Sequence, residues 1–228
     1  MGKDVMIALD FPNAKKALGF LEKLAPEKPY VKVGMELFYA EGPDLVRVLK
    51  EKGYPIFLDL KLHDIPHTVE QAMRRLAELH IDMTNIHASG GIGMMQAARR
   101  GFGDDALLIG VTQLTSTSQE VMNEEIGIPG NVEAVVKAYA QNCLRAGLNG
   151  VVCSPLEAPA VHEACGPNFL TITPGVRFAE NSVDDQKRVT TPARARELGS
   201  DYIVVGRAIT GAEDPAEAYK RCIKEFVG

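Results

Sequence analysis

Short apolar runs alternate along this chain with longer stretches in which apolar positions recur at helical spacing. Several of the short runs are apolar at every position, as in the run from Met6 to Leu9 and the run from Ile203 to Val205. Such uninterrupted runs are typical of parallel strands that are covered on both faces. On this basis eight strands are predicted, at residues 5–10, 30–35, 55–61, 83–89, 106–113, 150–154, 170–175 and 202–208.

The stretches between the predicted strands have the periodicity of amphipathic helices. Val132, Val136 and Tyr139 fall on one face of a helix, because they are spaced by four and three residues. Pro43 and Pro215 each precede a helical pattern, and proline is favoured in the first turn of a helix. Helices are therefore predicted to begin near both prolines.

The alternation of strands and helices predicts an α/β protein. Eight strand–helix units in 228 residues leave about 28 residues per unit, which suits a (β/α)8 TIM barrel. A doubly wound open sheet is the competing architecture. No linker or change of composition divides the chain, so a single-domain barrel over residues 1–228 is predicted.

Polar residues stand at the carboxyl ends of the predicted strands, where (β/α)8 barrels hold their active sites. If the barrel closes, these residues meet at one mouth although they are distant in sequence. They are Asp10, Lys32, Asp59, Lys61, His87, Ser89, Thr112, Gln113, Thr115, Thr117, Arg177 and Arg207.

The densest group of charges lies at the end of the third strand. Asp59 and Lys61 point to the same side of an extended strand, and Asp64 follows three residues later. Burying such charges is costly unless they pair or take part in chemistry. An ammonium held between carboxylates can stabilise a carbanion and then protonate it. A salt-bridge cluster with no catalytic role is the alternative.

Asp10 and Lys32 are charged residues in two neighbouring apolar strands, where charges are unusual. We expect them to pair across the strands, close to Asp59 and Lys61. In a functional interpretation they extend that network and hold the hydroxyls of a sugar. In the alternative interpretation they are an ion pair that fills the barrel interior.

The loops after strands 7 and 8 are a frequent phosphate site in these barrels. Gly206 allows close approach of the backbone, and Arg207 supplies a two-pronged donor. Arg177 or Gln186, in the long polar connection after strand 7, would reach a phosphate if that connection acts as a lid. A surface loop is the alternative. The hydroxyl-rich stretch 114–119 either caps a helix or binds the edge of a heterocycle.

Composition excludes several classes of function. A net charge of −5, from 30 acidic and 25 basic residues, gives no broad basic surface for nucleic acid. No apolar run is long enough to span a membrane, and the N-terminus lacks the pattern of a signal peptide, so a cytoplasmic location is expected. The four scattered cysteines indicate neither zinc nor disulfides. His63 and His67 have no second cluster of ligands near them in sequence, so no metal site is predicted.

Seven blocks of this sequence together resemble the orotidine 5′-phosphate decarboxylase family, in its bacterial form. They occur in the order expected for that family and span nearly the whole chain. The most specific is the run from Asp59 to Thr68, because related sugar-phosphate enzymes share only its DxKxxD core. The blocks lie at residues 8–10, 31–34, 57–68, 112–116, 174–177, 185–188 and 205–209.

The resemblance implies that the chain converts orotidine 5′-monophosphate to UMP, in the last step of pyrimidine synthesis, with no metal and no organic cofactor. It implies that Lys61 donates the proton to the ring carbon that loses CO2. Asp59 would lie near the departing carboxylate. Lys32 would bond to Asp59 and the ribose, and Asp10 would bond to the ribose hydroxyls.

The resemblance also implies a homodimer with shared active sites, in which Asp64, Ile65 and Thr68 reach into the site of the neighbouring subunit. Thr117 would lie beside the pyrimidine, with Ser118 as a competing candidate. The phosphate would be held by Arg177, Gln186, Gly206 and Arg207.

Two other functions remain open from the sequence. A magnesium-dependent decarboxylase or aldolase of sugar phosphates would share the barrel and the DxKxxD motif. A barrel that only senses a phosphorylated nucleotide would share the phosphate site, although the intact Asp59 and Lys61 argue against it.

Overall fold

Eight parallel strands form a closed barrel in the computed structural model, which describes residues 3–180 and 190–228. The strands pair in chain order, and β8 returns to pair with β1. The predicted (β/α)8 TIM barrel is confirmed, and closure rules out the open sheet. The strands are β1 (Asp4–Ala8), β2 (Tyr30–Gly34), β3 (Ile56–Leu62), β4 (Met83–His87), β5 (Leu107–Val111), β6 (Gly150–Val152), β7 (Leu170–Thr173) and β8 (Tyr202–Val205).

Helices follow the strands and surround the barrel. They are α1 (Ala14–Glu22), α2 (Met35–Glu51), α3 (Pro66–Ala77), α4 (Gly91–Phe102), α5 (Val132–Arg145), α6 (Ala158–Cys165), α7 (Pro192–Glu197), α8 (Arg207–Thr210) and α9 (Pro215–Phe226). Short 3-10 helices lie at Ala88–Gly90 and Pro155–Glu157, and a π-helical turn lies at Val121–Glu125.

Local chemistry explains where two of these helices begin. The carboxamide of Asn131 accepts a hydrogen bond from Ala134 N at the start of α5, and the carboxylate of Asp214 does the same for α9. The prediction that a helix begins at Pro215 is confirmed. The predicted helix start at Pro43 is also confirmed, because α2 consists of two helices joined across a kink at Gly42, where φ is +69° and ψ is −164°, and the second of them begins at Pro43. The preceding helix, which begins at Met35, was not predicted.

Two apolar layers hold the barrel together. One lies between the strands and the helices, where outward-facing strand residues such as Ile7 and Val205 are fully buried. The other fills the inside of the barrel and consists of Met6, Ala8, Tyr30, Phe57, Met83, Ile109, Leu170, Ile172, Tyr202 and Val204. Side chains alternate along a strand, so the residue two positions after each inner residue also faces inward, nearer the carboxyl end.

Seven of the predicted strands run one to three residues too far at their carboxyl ends. Strand β4 ends at His87 and β8 at Val205, whereas the apolar pattern extends the prediction to residues 89 and 208. At these ends the chain leaves the strand ladder and forms the loops of the barrel mouth. Within residues 3–180 and 190–228, no helix has both the length and the apolar character needed to cross a membrane.

Candidate active site

Strand β3 leaves its regular pairing with β4 at the point where the predicted charges lie. Leu58 is paired with Thr84 and Leu62 with Ile86, so four steps along β3 correspond to two along β4. Within this bulge Lys61 has a φ of +53°, which non-glycine residues rarely adopt. Both Asp59 and Lys61 line the cavity at the mouth of the barrel.

A connected set of charges occupies this mouth. Lys61 Nζ lies 2.7 Å from Asp59 Oδ1, and Lys32 Nζ lies 3.4 Å from Asp59 Oδ2. Lys32 Nζ also lies 3.3 Å from Asp10 Oδ1, so Asp10 and Lys32 are paired across neighbouring strands as predicted. The central carboxylate of Asp59 therefore holds two ammonium groups, and Asp10 shares one of them.

The environment of Asp59 keeps it ionised. Burial acts to raise its pKa, because only 7% of the residue is exposed. The positive charges of Lys32 and Lys61 and hydrogen bonds from Lys61 and Asn85 outweigh burial, so the pKa of Asp59 lies below its ordinary value. A fixed anion thus lies between two cations at neutral pH.

A glycine leaves room for one of these cations. A Cβ atom placed on Gly34 would lie 3.2 Å from Lys32 Nζ and 3.5 Å from Asp10 Oδ1. The distance of 3.2 Å is shorter than most contacts that a Cβ atom makes, so a side chain at position 34 would require the ammonium of Lys32 to shift. Gly34 at the end of β2 therefore allows the Asp10–Lys32 pair to lie against the backbone.

The mouth opens into a cavity of about 450 Å³. Its charged lining residues are Asp10, Lys32, Asp59, Lys61, Arg177 and Arg207. Among the described residues, four cations and two anions give the lining a net charge of +2, which favours an anionic ligand. The lysines belong to β2 and β3, and the arginines follow β7 and β8, so the two pairs of cations come from separate parts of the barrel.

The predicted site residues fall into four groups. Seven line the cavity: Asp10, Lys32, Asp59, Lys61, Arg177, Gly206 and Arg207. Asp64, Ile65 and Thr68 are exposed at the start of α3 and are not among the residues that line this cavity. Thr117 is buried and does not line it either. Gln186 lies outside the described residues.

Polar residues after β5 also line the cavity, and they are Gln113, Thr115 and Ser116. The sequence indicated Gln113 as a residue of the mouth and the stretch 114–119 as a candidate binding segment, but it did not indicate Asn85. Asn85 is fully buried in β4 and contacts both Asp59 and Lys61. The alternation along β4 could have predicted that Asn85 faces the inside of the barrel, because it stands two residues after the inward-facing Met83 in an apolar run.

The histidines near the mouth lie beside each other. The rings of His63 and His87 are 5.6 Å apart between centroids, and burial and the neighbouring His63 lower the pKa of His87. Across residues 3–180 and 190–228, no three His, Cys, Asp or Glu side chains are grouped as metal ligands. None of the four cysteines, all of which lie among the described residues, forms a disulfide.

A closed barrel with lysines, carboxylates and arginines gathered at its carboxyl-end mouth defines a (β/α)8-barrel enzyme. Residues 3–222 match the model of the orotidine 5′-phosphate decarboxylase / HUMPS family. The chain therefore belongs to this family, and its identification as a carboxy-lyase is confirmed by the relatives described next.

Relatives of known name and structure agree with the family. The chain is 54% identical over 235 residues to the orotidine 5′-phosphate decarboxylase of Bacillus cytotoxicus, covering 100% of this chain and 99% of that one. It is similar to the crystal structure of that enzyme from Lactobacillus acidophilus, with a TM-score of 0.89, 42% identity and coverage of 99% and 100%. A crystal structure of an uncharacterized conserved protein from Geobacillus kaustophilus gives a TM-score of 0.87 at 44% identity, covering 97% and 99%.

Proposed function

We propose that this chain decarboxylates orotidine 5′-monophosphate to UMP, and that Lys61 stabilises and protonates the carbanion without help from a metal or an organic cofactor. The observation that carries the proposal is the 2.7 Å contact between Lys61 Nζ and Asp59, inside a cavity with a net positive lining. The names of the relatives supply the substrate.

The charges of the cavity suit the two ends of this substrate. A nucleotide that carries a phosphate and a ring carboxylate needs cations at two separated places. Arg177 and Arg207 provide one pair, and Lys32 and Lys61 provide the other. Gln113, Thr115 and Ser116 offer polar contacts for the edge of a pyrimidine between these two ends.

The chemical step follows from the position of Lys61. The bond between the ring carbon and the carboxylate breaks, the electron pair stays on the ring carbon, and CO2 departs. The ammonium of Lys61 stabilises that pair and then transfers one proton to the carbon, which gives UMP. Asp59 lies beside the departing carboxylate, so the repulsion between two anions is relieved as CO2 leaves.

The remainder of the network orients the substrate. Lys32 bonds to Asp59 and to the ribose, and Asp10 accepts from the ribose hydroxyls. The phosphate is held by Arg177, Gln186, Gly206 and Arg207. Because the phosphate is remote from the bond that breaks, its binding energy is available to organise the charged groups.

We also propose a homodimer in which each site uses residues of both subunits. Ile65 is 66% exposed at the start of α3, so its apolar side chain is available for contact with a partner subunit. Asp64 and Thr68 are exposed beside it and do not line the cavity of their own chain. These three residues are therefore available to the site of a second copy.

The metal-dependent alternative requires a cation on the same carboxylates. Asp59 Oδ1 already accepts from Lys61 and Asn85 at 2.7 Å each, and Oδ2 lies 3.4 Å from Lys32. A magnesium ion bound to Asp59 Oδ1 would have to displace the ammonium of Lys61 or the carboxamide of Asn85, and one bound to Oδ2 would lie next to the positive charge of Lys32. This arrangement favours the metal-independent reaction.

The test is the loss of orotidine 5′-monophosphate with and without excess chelator. We expect wild-type turnover to survive chelation and Lys61→Ala to lower kcat at least about 10²-fold while the substrate still binds. Lys50→Ala is the matched control, since Lys50 Nζ also lies 2.7 Å from an aspartate, Asp82, but does not line the cavity. Loss of turnover under chelation would favour the metal enzyme, and an unchanged rate in Lys61→Ala would remove Lys61 from the mechanism.

A further inference from the structure

The bulge in β3 interrupts the hydrogen-bond ladder where the mechanism needs the most rigid geometry. Regular pairing with β4 stops after Leu58 and resumes at Leu62. Asp59 and Lys61 both lie in this interval, and Lys61 has left-handed backbone angles. Asp59 still pairs with Gly34 of β2 on the other side of the strand, but toward β4 something other than the strand ladder must hold these two residues in place.

The side chain of Asn85 bridges the interruption. Lys61 N donates to Asn85 Oδ1 at 2.8 Å, and Asn85 Nδ2 donates to Asp59 Oδ1 at 2.7 Å. Asn85 is fully buried, so neither bond is replaced by bulk water if the side chain is removed. One carboxamide thus fixes the backbone of Lys61 and the carboxylate of Asp59 together.

We propose that Asn85 is a positioning residue for the decarboxylation, which sets the geometry and the charge of the Asp59–Lys61 pair without touching the substrate. The inference rests on the proposed function of that pair. Asn85 belongs to β4, so it is neither part of the charged motif of β3 nor one of the residues that line the cavity.

The chemistry of the carboxamide explains why asparagine stands here. The position requires an acceptor for Lys61 N–H and a donor for an ionised carboxylate, and a carboxamide offers both from one planar group. Alanine would leave the N–H of Lys61 without its acceptor, and it would remove one of the donors to the carboxylate of Asp59. An ionised aspartate would keep the acceptor and would face Asp59 with a second negative charge.

The first experiment compares Asn85→Ala with two controls. We expect kcat for orotidine 5′-monophosphate to fall about 10- to 100-fold, with KM changed less than about threefold, because the phosphate contacts are untouched. Thr84→Val is the control in the same bulge, since Thr84 Oγ1 donates to Leu58 O at 2.8 Å and does not contact Asp59 or Lys61. Asn149→Ala is the control for loss of a structural carboxamide, whose Oδ1 accepts from Leu108 N at 2.9 Å.

The second experiment uses an isosteric variant, Asn85→Asp, and the pH dependence of its kcat relative to the wild type. When protonated, the new carboxyl donates to Asp59 and accepts from Lys61 N–H as the carboxamide does, so relative activity should rise as the pH is lowered from about 8 to about 5. The charged groups that Asn85 contacts are Asp59 and Lys61 on β3. Beyond them lie Lys32 on β2, which contacts Asp59, and Asp10 after β1, which contacts Lys32, while His87 stands two residues further along β4 with His63 beside it. Dividing by the wild-type rate removes their own titrations.

The outcomes separate this inference from the proposed function. If the wild type turns over and Asn85→Ala does so at the same rate, or if Thr84→Val loses as much kcat as Asn85→Ala, the positioning role is wrong. A relative activity of Asn85→Asp that does not change with pH also overturns it, and this result decides the matter if Asn85→Ala does not fold.

A third experiment does not depend on catalytic activity, so it tests the positioning role even if the wild type does not decarboxylate the substrate. The titration of the Asp59 carboxyl carbon by NMR should move to higher pH in Asn85→Ala, because the ionised form loses a donor. The resonance is assigned by its absence in Asp59→Asn. An unchanged titration would contradict the proposed contact whatever the substrate is.

Discussion

At the scale of single residues, Lys61 combines unfavourable backbone angles with the proton-donor role that we propose for it. Its φ of +53° costs about 1–2 kcal/mol for a residue with a Cβ atom. The ion pair with Asp59 and the hydrogen bond from Lys61 N to Asn85 offset this cost. Strain of this kind persists where surrounding contacts determine the conformation, and in this protein they place an ammonium at the cavity wall.

The ionisation of Asp59 makes the stability of the protein depend on pH. Its pKa in the folded protein is below that of the unfolded chain, so it stabilises the fold above about pH 4, and this contribution is lost as the pH falls through the folded pKa. We expect the difference in the free energy of unfolding between the wild type and Asp59→Asn to shrink on acidification, as measured by urea unfolding between pH 6 and pH 3. A difference independent of pH would contradict the assignment.

At the scale of elements, α3 and α4 pack closely against each other, and this packing holds the segment that precedes α3. A Cβ atom on Gly101 of α4 would lie 2.2 Å from Glu70 O and 3.0 Å from Met73 Cβ of α3. The two backbones therefore approach each other at a point where only glycine fits. Because α3 follows the exposed Asp64 and Ile65, this contact anchors the segment that we assign to the second site.

Substitution of Gly101 tests this packing. Gly101→Ala should lower the free energy of unfolding by about 1–3 kcal/mol, because α3 and α4 must move apart. Gly19→Ala in α1 is the matched control, since a Cβ there meets nothing within 4 Å, and it should be neutral or stabilising by up to about 1 kcal/mol. Equal effects of the two variants in thermal unfolding would refute a close contact at Gly101.

At the scale of the whole molecule, the closed barrel brings distant segments to one mouth. The carboxylates and lysines come from the first third of the chain, and Arg177 and Arg207 come from its last quarter. The cavity receives its net positive charge only when both ends of the chain have joined the barrel. The proposed reaction is thus a property of the closed sheet and of no single motif.

Arg207 tests the separation of binding from chemistry. If Arg207 holds the phosphate as proposed, Arg207→Ala should raise KM for orotidine 5′-monophosphate and lower kcat/KM, because the charged contact to the phosphate is removed. Turnover of orotidine, which lacks the phosphate, should be unaffected by the same substitution. A normal kcat/KM for the phosphorylated substrate would remove Arg207 from the phosphate site.

Shared sites are tested by mixing two inactive variants. A hybrid of Lys61→Ala and Asp64→Ala subunits has one site in which both residues are native, if Asp64 serves the partner's site. Random reassortment should then restore about a quarter of wild-type activity, since half the dimers are hybrids with one good site of two. No recovery, when sedimentation demonstrates that hybrids form, would place Asp64 outside the neighbouring site.

The sequence by itself determined the order of elements and the residue types of the mouth. Period-2 and period-3.6 patterns depend on neighbours in sequence, so eight strands, their helices and the clustered charges from Asp59 to Asp64 were all predictable. Family-specific blocks then indicated the residues that line the cavity, including Arg177 and Arg207.

Only the tertiary structure decided how those charges are held. The bulge in β3, the left-handed angles of Lys61 and the bridge from Asn85 depend on the register between β3 and β4, which no local pattern encodes. Gln113, Thr115 and Ser116 were recognisable in the sequence as polar residues after the fifth strand, but their place in the cavity follows from closure of the sheet. Sequence periodicity fixes which side of a strand a residue occupies, but the partner across the strand is set by packing of the complete barrel.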